Sequence, residues 1–170
     1  MVVLSSIFSV FALVFSVISI VCVDKKSLLL FQVLANIFYS LSYLFKGSIL
    51  AFLGVIVATI RTLTFYLYAI KNNRTPFIAM LSFIVANVLV SIISYKTFVD
   101  ILPIVGMSIF TYFTYKDNLT HIKFASIVLS ICLFLYNLKI GLYIGCIQEI
   151  ILLLSAIFSL CKQNKIKKYN

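Results

Sequence analysis

Ser48 to Ile70 reads SILAFLGVIVATIRTLTFYLYAI. The run is apolar and, at about 1.5 Å per residue, long enough to cross a bilayer as a helix. It also carries Arg61, which sits farther from a helix end than any other Lys or Arg in the chain. A charged side chain at the centre of a bilayer costs about 2.5–3.5 kcal/mol on insertion scales. The helix must turn Arg61 toward protein or water, and its neighbours must be arranged around that need.

The rest of the chain has the same character. Of its 170 residues 64% are hydrophobic and only 11% are charged, where a soluble domain carries about one-quarter charged residues. Seven apolar segments follow one another, at 2–23, 27–45, 48–70, 76–95, 98–115, 119–138 and 141–161. Each is long enough to span about 30 Å of hydrocarbon. The breaks are short and polar: Asp24-Lys25-Lys26, Lys46-Gly47, Lys71 to Arg74, Lys96, Lys116-Asp117-Asn118 and Lys139. Connections this short force neighbouring helices to run antiparallel. The expected fold is an all-α membrane protein of seven transmembrane helices. The first segment has no basic region before it and no small-residue cleavage site after it, so it is expected to stay as a helix.

The net charge is +10. In a soluble chain that balance would suggest nucleic acid, but here it follows the loops, and no nucleic-acid partner is expected. Loops one, three and five with the C-terminal tail hold ten cations: Lys25, Lys26, Lys71, Arg74, Lys116, Lys123, Lys162, Lys165, Lys167 and Lys168. The other loops hold three, Lys46, Lys96 and Lys139. The positive-inside rule then puts the N-terminus outside and the C-terminus in the cytoplasm, with the tail against anionic lipid.

The chain also repeats itself at an offset of 93 residues. Asp24 matches Asp117, Phe31 matches Phe124, Tyr43-x-x-Lys46 matches Tyr136-x-x-Lys139, and Phe65-x-Leu67 matches Phe158-x-Leu160. The offset lays the first three helices on the last three and holds four spans, so both halves keep one orientation. This predicts a 3+1+3 parallel repeat. Residues 1–70 form the first three-helix unit, 71–96 the connector helix, 97–161 the second unit and 162–170 a basic cytoplasmic tail.

Candidate site residues are those that break the apolar runs. Arg61 is the deep cation of the third helix, and Glu149 is the only acid deep in an apolar segment, on the seventh. These two helices are repeat equivalents, and pairing would neutralise both charges. Gln32 and Asn36 lie four residues apart and share a face of the second helix. Asn137 ends the sixth helix. Pro103 is expected to remove a hydrogen bond and kink the fifth helix, with Gly106 allowing close packing, so that the two form a hinge. The tyrosines near segment ends, Tyr43 and Tyr136 among them, suit an interfacial belt. His121 stands alone, and Cys22, Cys132, Cys146 and Cys161 form no ligand cluster. No metal, cofactor or catalytic motif is indicated, and no enzyme is expected.

Taken in order, Ile60-Arg61-Thr-Leu63, Leu102-Pro103-Ile-Val-Gly106, and Tyr136-Asn137 followed by Gly141, Gly145 and Glu149 resemble the YgjV-type bacterial inner-membrane proteins over nearly the whole chain. Relatives often show an asparagine three residues before the arginine, where this chain has Ala58. The resemblance implies the bacterial inner membrane and the architecture more than an activity. The 3+1+3 plan is also similar to that of the PQ-loop and SWEET-type carriers, which is a likeness of architecture alone. Two functions are expected. One is a small-solute carrier with its site at mid-depth between the halves. The other is a non-transporting scaffold or accessory subunit. The lipid bilayer is the partner implied in either case, and a homo-oligomer is compatible with both.

Overall fold

The computed structural model describes residues 2–47, 49–94, 98–116, 118–139, 141 and 143–169. Lys96 and Asp117, read above as loop charges, lie outside the described residues. Seven α-helices are present among the described residues: α1 (Val2–Val21), α2 (Lys25–Lys46), α3 (Ile49–Ile70), α4 (Phe77–Ser94), α5 (Ile101–Tyr115), α6 (Leu119–Lys139) and α7 (Tyr143–Tyr169). A single 3₁₀ turn, Phe98–Asp100, leads into α5. Six helices are long and apolar enough to cross a membrane, while the apolar run of α4, Phe77–Val90, is shorter. The tail expected to be separate from residue 162 continues α7 as far as Tyr169.

Local chemistry sets the breaks. Asp24 is extended, at φ −120° and ψ 150°, and its carboxylate accepts the Ser27 amide at 2.8 Å, which caps α2. That backbone bond holds the Asp24 carboxyl below its ordinary range, because it favours the ionised form. Gly47 ends α2 at φ 73°, a left-handed conformation that glycine adopts without a Cβ penalty. Gly141 repeats the device at φ 72° between α6 and α7. Asn118 starts α6 by accepting the Thr120 amide at 3.0 Å.

Contacts run from α1 to α2 and so on to α7, and from α7 back to α1, closing a ring in chain order. Cross-links match ends in the antiparallel sense. Ser5 and Ser9 of α1 bond Ser42 of α2, and Ser19 donates to the Leu28 carbonyl at 2.7 Å. Small hydroxyl residues let two backbones approach closely where lipid supplies no hydrophobic drive. Phe8, Phe11 and Phe15 of α1 stack on Phe31, Phe38 and Phe45 of α2 along the same seam. On α3 the faces separate cleanly. Ala58, Arg61, Thr62 and Phe65 are buried, whereas Ile60, Leu63, Leu67 and Ile70 are exposed. That is the pattern of a helix with its polar face inward and its apolar face to lipid.

One apolar cluster gathers Leu28 and Leu29 of α2, Phe65 of α3, Met80 of α4, Phe110 of α5, and Ile122 and Ala125 of α6. All lie toward the end of the bundle that carries Lys25, Lys26, Lys71, Arg74 and Lys116, here termed the basic end. The cluster closes that end across five helices.

Two expectations need correction here. Lys123 is not a loop cation. It lies in α6, only 1% exposed, and its ammonium donates to Ser159 Oγ at 2.7 Å. Ser159 in turn donates to the Ile20 carbonyl at the end of α1, at 2.9 Å. Removing Lys123 from the loop count leaves nine cations against three, and the sign of the bias stands. Pro103 falls in the first turn of α5, where the N–H it lacks would have had no helical partner. The hydrogen bond expected to be lost there is not lost, and that ground for a kink disappears.

Candidate functional site

Gln32, Asn36, Tyr39 and Tyr43 occupy positions i, i+4, i+7 and i+11 of α2, which form one face of a helix. This stripe links the two deep charges. Near its middle, the Asn36 amide donates to Thr62 Oγ1 on α3 at 3.3 Å. Thr62 is the residue after Arg61, and its own hydroxyl donates to the Ala58 carbonyl at 2.8 Å. Farther from the basic end, Tyr39 and Tyr43 lie within electrostatic reach of Glu149 on α7.

Arg61 is 4% exposed. Its Nη1 donates to Thr111 Oγ1 on α5 at 2.9 Å, and the guanidinium carbon stands 5.4 Å from the centre of the Phe110 ring. Thr111 keeps a second bond, donating to the Met107 carbonyl at 2.7 Å. Among the described residues no carboxylate bonds Arg61, and one of its five N–H groups is used.

Glu149, half-buried, shares by helical spacing the face of α7 that buries Cys146 and Ala156. Ser130 of α6 stands beside its carboxyl. Its Oε2 is buried with no hydrogen-bond partner. Gln32 Oε1 and Asn87 Nδ2 are buried in the same condition. A buried polar atom left unpaired costs about 1–3 kcal/mol. Ser16 of α1 stands beside the Tyr39 hydroxyl.

The expected Arg61–Glu149 ion pair is not formed. Arg61 reaches across the ring from α3 to α5, a helix that is not its neighbour, and so occupies the interior. Glu149 turns one buried carboxylate oxygen into the bundle, within electrostatic reach of Tyr39 and Tyr43. Arg61 lies twelve residues into α3 and Glu149 six into α7. Arg61 borders the apolar cluster through Phe110, and Glu149 lies in the other half.

Asn137 does not join the stripe. Its side chain packs on Gly145, where an added Cβ would lie 2.8 Å from Asn137 Nδ2. That contact is a close approach of α6 and α7. Gly106 plays the same part for α5 and α6. A shallow open groove lies on the surface between α1 and α2, lined by Val17, Ile18, Cys22, Asp24 and Phe31 among others. None of the interior polar residues lines it. No group of three or more potential metal ligands occurs among the described residues.

Reading the sequence missed Tyr39, Thr111, Ser130 and the burial of Lys123. The α2 spacing would have found Tyr39 and moved Tyr43 from the interfacial belt to the stripe. Thr111 and Ser130 carry no such signal, since a lone hydroxyl in an apolar helix usually bonds its own backbone.

A family model described as Imp-YgjV, bacterial inner membrane protein, matches residues 3–167. No curated protein matches the chain, and no solved structure does.

Proposed function

The chain belongs to the Imp-YgjV family of bacterial inner membrane proteins, and from that premise we propose that it carries a small solute across the membrane. The observation that supports this reading is Arg61, a buried cation with a hydroxyl and an aromatic ring as partners and no counter-ion among the described residues. Membrane proteins keep ionisable groups at such depth for pathways and ligands, or pair them. Glu149 adds a buried carboxylate oxygen without a partner in the same interior. The site proposed is the α2 stripe with Arg61 and Glu149. The apolar cluster at the basic end is the gate that must part for release. No catalytic role is proposed.

In this reading the three helices before α4 and the three after it move as units, with α4 as the connector. In support, α1–α2–α3 and α5–α6–α7 pack tightly, and α3 touches α4 more lightly. The orientation proposed has the N-terminus outside and the C-terminus in the cytoplasm. A phosphatase fused after Asn170 will then be inactive, and a fluorescent protein fused there will glow. An active phosphatase and a dark reporter would reverse the orientation.

A scaffold is the second reading, and one observation favours it. Gly106 and Gly145 hold their helices in tight contact, and the open groove lies away from the polar stripe. Metabolite uptake separates the two. A strain lacking the chain will take up at least one small metabolite more slowly. Wild-type protein will restore the rate, and Arg61→Gln protein made in equal amount will not. Equal restoration by both would favour the scaffold.

A further inference from the structure

We infer that the solute is zwitterionic, with its anionic group held at Arg61 and its ammonium group at Glu149. The inference rests on the carrier reading and adds the substrate class. It follows from charge balance inside the ring. Arg61 is buried, Glu149 is half-buried with its Oε2 buried, and the two make no direct contact among the described residues. A ligand of a single sign would satisfy one of them and leave the other uncompensated in low dielectric, which is strongly unfavourable. A ligand carrying both signs satisfies the two together.

The surroundings of each charge suit its half of such a molecule. At Arg61 one N–H holds Thr111, and among the described residues no other acceptor bonds the planar fork. A guanidinium fork matches a carboxylate in two parallel bonds, which a single hydroxyl partner does not use up. Asn36, bonded to the adjacent Thr62, brings an amide to the same level. At Glu149 the carboxylate stands beside Ser130, with the Tyr39 and Tyr43 side chains opposite on α2. A buried carboxylate oxygen without a partner is an acceptor for an ammonium ion. The chain length of the zwitterion that binds best reports the distance between the two charges.

The test is equilibrium binding to the purified full-length protein in lipid nanodiscs. The probes are alanine, γ-aminobutyrate and ε-aminocaproate, with butyrate and butylamine as single-charge controls. The expected result is saturable binding of at least one zwitterion, with both controls at least tenfold weaker. Arg61→Gln and Glu149→Gln will each weaken that zwitterion at least tenfold. Arg61→Lys will retain part of the affinity, because it keeps the charge and loses the fork. Gln variants keep the side-chain size, and a single symmetric peak in size-exclusion chromatography shows that they fold. Butyrate binding as tightly as the zwitterions, with Glu149→Gln without effect, would overturn the inference and leave an anion carrier. Butylamine binding as tightly, with Arg61→Gln without effect, would overturn it in favour of a cation carrier. Absence of binding by all five probes also overturns it. The carrier reading then stands or falls on the uptake experiment alone.

Discussion

Arg61→Leu will yield a protein at least as stable as the wild type that no longer works. The structure accounts for the stability, and the loss of uptake follows from the proposed carrier role. Arg61 is buried without a counter-ion, and its hydrogen-bond partner does not depend on it. Thr111 still donates to the Met107 carbonyl when the arginine is gone, so the substitution leaves no orphaned donor. Replacing even a buried ion pair by well-packed apolar side chains is often neutral or stabilising by about 1–4 kcal/mol, and a buried charge without a counter-ion has no pair energy to lose. A gain of about 1–3 kcal/mol is expected here, read as a shift in the unfolding midpoint of purified protein in detergent. Uptake should fall to the level of the deletion strain. Thr111→Val acts in the opposite direction, because it removes the one acceptor Arg61 has. A hydrogen bond to a charged group is worth about 1.5–3 kcal/mol, and a loss of that order is expected. The Arg61→Leu, Glu149→Leu double variant should show additive effects on stability within about 0.5 kcal/mol, since the two side chains share no contact. Rescue of one variant by the other would instead mean that they pair in the membrane. A marked loss of stability in Arg61→Leu alone would make the arginine structural.

Helix number and place were legible because membrane helices are read from long apolar runs, and the short polar breaks leave little room for error. The 48–70 segment became Ile49–Ile70 and the 119–138 segment became Leu119–Lys139. The depth of single charges was less legible. Lys123 lies five residues into α6 and reads as a loop cation, because sequence alone does not show which way a side chain near a helix end turns. Here it turns inward, since Ser159 and the terminal carbonyl of α1 offer oxygens at that level. Pro103 was misjudged for a related reason. The apolar run begins at Phe98, but the helix begins at Ile101 after a 3₁₀ turn. Three residues decide whether a proline costs a hydrogen bond.

Arg61 and Glu149 were legible as deep charges, because opposite signs at membrane depth are rare enough to notice. Their separation was not. Counting along each helix gives axial height alone, whereas pairing depends on rotation about the helix and on which helices adjoin. The ring places α5 opposite Arg61 and α2 opposite Glu149, and that order is set by packing at places such as the Ser5–Ser42 contact and the Gly106 seam. Small residues of this kind are common in every apolar segment, so no single one announces a neighbour in advance.

Gly106→Leu will have the largest structural effect of any single substitution in the α5–α6 seam. An added Cβ at Gly106 would lie 3.0 Å from Leu129 Cδ1, 3.1 Å from Cys132 Cβ and 3.2 Å from Leu129 Cα. The leucine methyl can rotate away. The Cα and the Cys132 Cβ cannot, because they belong to the rigid part of α6. Alanine therefore forces the two helices apart by a few tenths of an ångström, and overpacking of this kind costs about 1–3 kcal/mol. Leucine adds three more carbons to the same gap and exceeds that range. The displacement is carried along α5 by one turn, to Phe110 and Thr111, which are the groups that hold Arg61. Gly106→Ala should thus reduce uptake even in protein that still folds, whereas Gly106→Leu should also lower the folded yield. Gly54→Ala is the control. Its nearest foreign atom is Val90 Cγ1 at 4.0 Å, so the added methyl makes an ordinary van der Waals contact without a clash. In mid-helix the change gains about 0.5–1 kcal/mol of backbone entropy. Unfolding midpoints and uptake for the three variants should rank Gly54→Ala, then Gly106→Ala, then Gly106→Leu. If Gly106→Ala matches the wild type in both measurements, the seam is not tight and Gly106 has no part in positioning Arg61.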